Sequence, residues 1–231
     1  MSNMLAYYIN LILFFLSIFL LIYFTYNPKK NYAFVFKTTT SILFIFTAVI
    51  SYMKSPGDYY YFILLIIGLF FSLFGDMFLA LKVNHNDGSL NKYFLYGIVS
   101  FSITHVMYVL AFTHLGSFSI LDLLVALALA FIAMTLLKSN KNIDFKNMLL
   151  PASIYSFIIC LMTFESIKLA FLLRFDIGTY LLLIGALLFV LSDLVLCFIL
   201  FNKYHKKYLS AINLITYYTG QFIIASTLLF F

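Results

Sequence analysis

The sequence predicts an all-α fold, a polytopic membrane helix bundle of about eight transmembrane helices filling residues 1–231 as a single transmembrane domain. Three observations carry that expectation. Of 231 residues, 65% are hydrophobic, 20% aromatic and only 10% charged, and the mean hydropathy of +1.07 lies far outside the range of soluble domains. Apolar runs of roughly 20 residues, each long enough to cross a hydrocarbon core of about 30 Å, recur along the chain with short polar breaks. Lysines collect in every second break, the charge asymmetry that fixes orientation in a membrane.

The spans are read at 5–26, 33–52, 59–82, 93–115, 118–137, 148–171, 178–202 and 208–231. The first has no basic segment before it and no small-residue cleavage site after it, so it is expected to be a retained helix and not a signal peptide. The second carries Lys37 a few residues inside its basic end, where it either snorkels to anionic headgroups or holds a substrate phosphate. In the third, Gly68, Ser72 and Asp76 recur every four residues and form one stripe, small at the top and acidic at the bottom. Small residues at that spacing let helices approach closely, and the stripe aims Asp76 inward.

The fourth span places Gly97, Phe101, Thr104, His105 and Tyr108 on one face. A lone intramembrane histidine without further ligands at metal spacing reads as a neutral hydrogen-bonding residue, and neither metal nor cofactor is expected. His85, His114 and His205 fall in connections or at span ends facing water. Asp122 opens the fifth span, and Glu165 and Lys168 make an i, i+3 pair near the end of the sixth, all three expected to be surface ion pairing or snorkelling. Cys160 and Cys197 show no pairing or metal spacing and read as passive core residues. The seventh span carries Asp193, and the eighth repeats Asn213, Tyr217 and Gln221 every four residues. That row either glues helices together or lines a pocket.

Lys29, Lys30 and Lys37, then Lys82 and Lys92, then Lys138, Lys141 and Lys146, then Lys203, Lys206 and Lys207 mark the odd connections. The even ones hold only Lys54, Lys168 and Arg174. The odd connections are therefore expected to be cytoplasmic, with both termini on the opposite side, in a bacterial inner membrane or one like the endoplasmic reticulum. The net charge of +6 reports this topology and not a nucleic-acid partner.

GLFFSLFGD (68–76) and GALLFVLSD (185–193) each place a glycine eight residues before an aspartate, so a shift of 117 residues superimposes them. A four-plus-four repeat would bring both aspartates to the same side. At 1.5 Å per residue Asp76 lies roughly 9 Å and Asp193 roughly 15 Å from the lysine-rich ends of their helices, so the two could share a pocket. A carboxylate on a spanning helix costs at least about 2.5 kcal/mol, which makes a functional site the default reading. No nucleophile elbow, Gly-rich phosphate loop, HExxH or CxxC occurs, so any chemistry falls to these carboxylates.

Four motifs in order carry a family resemblance. They are GD (Gly75, Asp76), F-x6-F-x3-H-x2-Y (Phe94, Phe101, His105, Tyr108), G-A-x2-F-x2-S-D (Gly185, Ala186, Phe189, Ser192, Asp193) and Y-Y-x2-Q (Tyr217, Tyr218, Gln221). Over roughly residues 30–225 the chain resembles the YhhN-like lysoplasmalogenases, departing where Thr38 follows Lys37 in place of the family's Lys-Pro. The resemblance implies hydrolysis of the vinyl ether of a lysophospholipid substrate, the lysoplasmalogen, to a fatty aldehyde and glycerophosphocholine or glycerophosphoethanolamine. Asp76 and Asp193 are the expected catalytic groups, and Lys37, Ser72, His105, Tyr108, Ser192, Tyr217 and Gln221 the expected substrate-binding ones.

That reaction needs a proton delivered to the β-carbon and a negative group to stabilise the resulting oxocarbenium ion or to activate water. Two aspartates in one poorly hydrated pocket suit this division of labour. Which one is the acid stays open in the sequence, with Asp193, the deeper, favoured. A proton-coupled transporter of a small or lipid-like substrate is the competing reading, and a lipid-scaffolding protein the third.

Overall fold

The computed structural model describes residues 2–27, 32–81, 92–204 and 206–231. Among these residues eight α-helices follow one another: α1 (Ser2–Tyr26), α2 (Tyr32–Lys54), α3 (Tyr59–Ala80), α4 (Lys92–Leu115), α5 (Ile120–Ser139), α6 (Leu149–Leu172), α7 (Ile177–Phe201) and α8 (Tyr208–Ser226). Helices α1 to α7 are long and apolar enough to cross a membrane, which makes this a multi-pass integral membrane protein. Helix α8, 19 residues long, is the shortest of the eight and is not among those seven. It stops short of the expected 231 because the chain tightens into a 3-10 turn at Thr227–Leu229, where the Thr227 hydroxyl takes the Ile224 carbonyl and meets the Tyr61 hydroxyl at 2.7 Å. Lys29, Lys30, Lys82, His85 and His205 lie outside the described residues.

Helix starts opposite the lysine-rich end are capped by side chains. Asp58 accepts from the Tyr61 amide at 2.8 Å to open α3, Ser119 and Asp122 form a capping box on α5, and Asp176 accepts from the Gly178 amide on α7. The Tyr61 amide, helped by His114 at 2.9 Å, holds the Asp58 carboxyl below its ordinary value of 3.8. No β-strand forms among the described residues. A single bridge between Ile143 and Asn202 ties the α5–α6 connection to the end of α7.

The packing order repeats. Helix α3 lies along α4 and α7 along α8 as the two most extensive pairs, α1 rests on α2 as α5 rests on α6, and α2 meets α8 as α6 meets α4. Each half's glycine allows the close approach that its sequence stripe suggests. A Cβ on Gly68 would stand 2.6 Å from the Tyr108 ring, and one on Gly185 2.6 Å from Ile224 and 3.1 Å from the Gly220 carbonyl. The Thr104 hydroxyl reaches the Gly68 carbonyl at 3.0 Å across that seam. The main core gathers Phe14, Phe44, Tyr61, Leu65, Leu69, Phe112, Phe189 and Tyr218, while Phe94, Met134, Phe145, Met148 and Phe201 make a second cluster at the lysine-rich end.

The charged group at the opposite end departs from expectation. Asp122 is 4% and Glu165 1% exposed, and Lys168 bridges them, bonding Asp122 Oδ2 and standing 2.8 Å from Glu165 Oε2. The spacing Glu165–Lys168 fits a surface pair equally well, but the partner on α5 draws it into the helix interface, where charges in a membrane protein pair.

Candidate active site

Each helix around Asp76 contributes two polar groups one turn apart, the separation that places side chains on one face. Helix α2 gives Lys37 and Ser41, α3 gives Ser72 and Asp76, and α8 gives Tyr217 and Gln221. Asp76 is 1% exposed. Its Oδ2 accepts from Ser41 at 2.6 Å and from the Tyr217 hydroxyl at 2.7 Å, and its Oδ1 faces Lys37 Nζ at 3.4 Å. Ser41 has one proton and places it on the carboxylate, so the Lys37 carbonyl is left to the Tyr218 hydroxyl at 3.1 Å.

Behind Tyr217 runs a chain whose direction can be assigned. The Gln221 amide nitrogen only donates, so Ser72 Oγ accepts from it and turns its own proton to the Tyr217 oxygen 3.1 Å away. At the far end the Tyr108 hydroxyl donates to Gln221 Oε1 at 2.7 Å. Every donor from Tyr108 through Gln221, Ser72 and Tyr217 therefore points towards Asp76. Aligned hydrogen bonds polarise one another and favour negative charge at their terminus. With Lys37 on the other oxygen, the Asp76 carboxyl has three polar partners.

Asp193 is built differently. Its side chain is 18% exposed, and its Oδ2 accepts a hydrogen bond from the Tyr155 hydroxyl of α6. The Tyr155 oxygen lies 2.9 Å from His105 Nε2 of α4, and that nitrogen is 4.0 Å from Asp193 Oδ2. His105 itself is fully buried, edge-on to Phe189 at 4.5 Å. Neighbouring Ser192 is held apart from the carboxylate: its carbonyl and hydroxyl each accept from the Asn213 amide at 2.9 Å.

Two cavities meet here. The smaller, about 20 Å³, is lined by Lys37, Asp76, Ser192, Asp193, Asn213 and Tyr217 among others. The larger, about 140 Å³, lies among α4, α5, α6 and α7 and is almost wholly apolar, with Phe94, Phe101, Met134, Phe145 and Ile159 on its walls and Asp193 and Tyr155 as its polar corner. Asp193 is the polar residue that borders both. Cys160 and Cys197, expected in the core, stand on the wall of the larger cavity.

The structure thus gathers Lys37, Ser72, Tyr108, Tyr217 and Gln221 around Asp76, His105 near Asp193, and Ser192 beside it without a bond to it. Ser72, Tyr108, His105 and Gln221 are fully buried and bonded to other side chains. Lys37 faces a carboxylate where a phosphate was one expectation. Sequence reasoning missed Ser41 and Tyr155. Ser41 carried a readable signal, one turn after Lys37 on the same face, whereas Tyr155 is one tyrosine among 18 with nothing beside it to single it out. No three His, Cys, Asp or Glu side chains converge among the described residues.

A multi-pass helical membrane protein whose third and seventh helices each turn a carboxyl onto one small cavity is the class that fold and site define. Within that class the model of the YhhN family matches residues 32–228, and the chain belongs to this family, the family of lysoplasmalogenases. No curated protein and no solved structure matches it.

Proposed function

We propose that the protein hydrolyses the vinyl ether bond of lysoplasmalogens within the membrane, releasing a fatty aldehyde and a glycerophosphocholine or glycerophosphoethanolamine. The observation that carries this reading is that two carboxylates of opposite character border one water-sized cavity, and one of them also faces an apolar pocket suited to a single hydrocarbon chain. Family membership supports the hydrolase class.

Asp193 is the acid. The alkenyl chain occupies the apolar pocket, and Asp193 transfers its proton to the β-carbon, leaving its own carboxylate and an oxocarbenium ion. Asp76, held ionised by Lys37, Ser41 and Tyr217, stabilises that cation. A cavity of about 20 Å³ exceeds the roughly 10–15 Å³ one water needs, and its walls supply polar partners. Water there attacks the cation and gives up a proton to the carboxylate pair, which restores the acid. The hemiacetal then collapses to aldehyde and alcohol, so no net proton is consumed.

Purified protein given a lysoplasmenylethanolamine is expected to release one aldehyde per glycerophosphoethanolamine. Asp76→Asn and Asp193→Asn are each expected to abolish that release in protein that stays folded. Turnover by either variant at the parent rate overturns its assignment, and flux of intact substrate into vesicles without cleavage favours a carrier.

A further inference from the structure

Tyr155 carries no role in the scheme above, yet it stands where α4, α6 and α7 exchange polar contacts beside the apolar pocket. Its hydroxyl has a single proton, and that proton lies towards Asp193 Oδ2. The Tyr155 oxygen therefore accepts, and the hydrogen it accepts sits on His105 Nε2 at 2.9 Å. This assigns the ring as the neutral tautomer with a bare Nδ1. The assignment agrees with the surroundings, because Nδ1 is buried without a hydrogen-bond partner among the described residues, and an orphaned N–H there is the rarer and costlier case. The edge-on contact with Phe189 fixes the ring plane.

We infer that Tyr155 is a positioning residue for the hydrolysis: held by His105, it occupies Asp193 Oδ2 and so leaves Oδ1 as the oxygen that carries and delivers the proton. The inference rests on the reading of Asp193 as the acid. It follows from differential binding, since the phenol donates more strongly to Asp193 as charge develops on the carboxylate than to the neutral acid that precedes it. A contact that strengthens along the reaction speeds the chemical step without tightening substrate binding. His105 acts one bond further back, by keeping the phenol proton turned towards Asp193 and not into the pocket.

The test compares purified full-length Tyr155→Phe, His105→Leu and His105→Gln with the parent protein. Aldehyde release from a lysoplasmenylethanolamine gives kcat and KM, and infrared spectra without substrate follow the carboxyl band that Asp193→Asn removes. Tyr155→Phe and His105→Leu are expected to lower kcat about 100-fold with KM unchanged, and to shift the Asp193 band. His105→Gln, which keeps a donor near the Nε2 position, is expected to recover most of the rate. Parent-like kcat in Tyr155→Phe, a rise in KM in place of the fall in kcat, or a band that does not move in an otherwise slow variant overturns the positioning role while leaving the reaction intact. A parent protein that releases no aldehyde overturns the reaction and this role with it.

Discussion

Asp76 and Asp193 occupy corresponding places in two halves that pack alike, each eight residues after a glycine that seats its helix against the next. Each also meets the second helix of its own half and the fourth helix of the other: α2 and α8 for Asp76, α6 and α4 for Asp193. Their chemistry has nonetheless separated. Asp76 has a cation, two hydroxyl donors and a chain of oriented dipoles, whereas Asp193 has one phenol and an open flank. What differs is the inventory of partner residues, not the scaffold. The same backbone arrangement can surround one carboxyl with donors and leave another with a single phenol.

The sharpest way to break this contrast is through stability. Asp76→Asn leaves Lys37 with an uncompensated charge in the interior and is expected to cost about 3–5 kcal/mol, while Asp193→Asn, with a single bond to lose, is expected to cost no more than about 1–3 kcal/mol. Thermal melts in detergent check this, and equal losses would mean that the two sites are not differently saturated. Lys37→Met should cost about as much as Asp76→Asn, yet the double variant should cost less than the sum, with a coupling of about 0.5–3 kcal/mol in a double-mutant cycle. Additivity would remove Lys37 from the site.

Gly68→Ala and Gly185→Ala test whether the two seams are equivalent. Both place a methyl inside contact distance of a packed neighbour, so each is expected to destabilise by about 1–3 kcal/mol. A tolerant seam in one half alone would limit the repeat to its sequence pattern. The smallest effect lies away from both carboxylates. Asp58→Ala removes the α3 cap and is expected to cost about 1 kcal/mol. Because the Asp58 carboxyl titrates below its ordinary 3.8 in the folded protein, its contribution is present above that value and is lost as pH falls through its lowered folded-state range. The parent's melting temperature should therefore drop more steeply below about pH 4 than that of the variant.

The bundle was legible in the sequence because a bilayer imposes length and apolarity on every helix, and the read spans agree with the observed ones to within a few residues except at the end of α8. The polar stripes were legible for the same reason: Lys37, Ser72, Asp76, Tyr217 and Gln221 stand out against an apolar background at helical spacing. Their grouping was not. Nothing in the spacing says that Tyr108 of α4 reaches Gln221 of α8, or that Tyr155 rather than Ser192 holds Asp193. Those facts depend on helix rotation and on which neighbours meet, and one helix's periodicity carries no information on either. Glu165 and Asp122 misled for a related reason, since an i, i+3 charge pair looks identical whether it faces water or a third charge on the next helix.

Gln221 gives the Asp76 network a property that hydroxyls alone would lack. A row of hydroxyls can reverse by turning each proton in place, so its polarity follows whatever charge lies at either end. An amide carries its donor and its acceptor on different atoms, so reversing this row requires the whole Gln221 side chain to turn over inside a closed core. The amide therefore acts as a rectifier: it fixes the sense of the local electric field along the row that ends at Asp76.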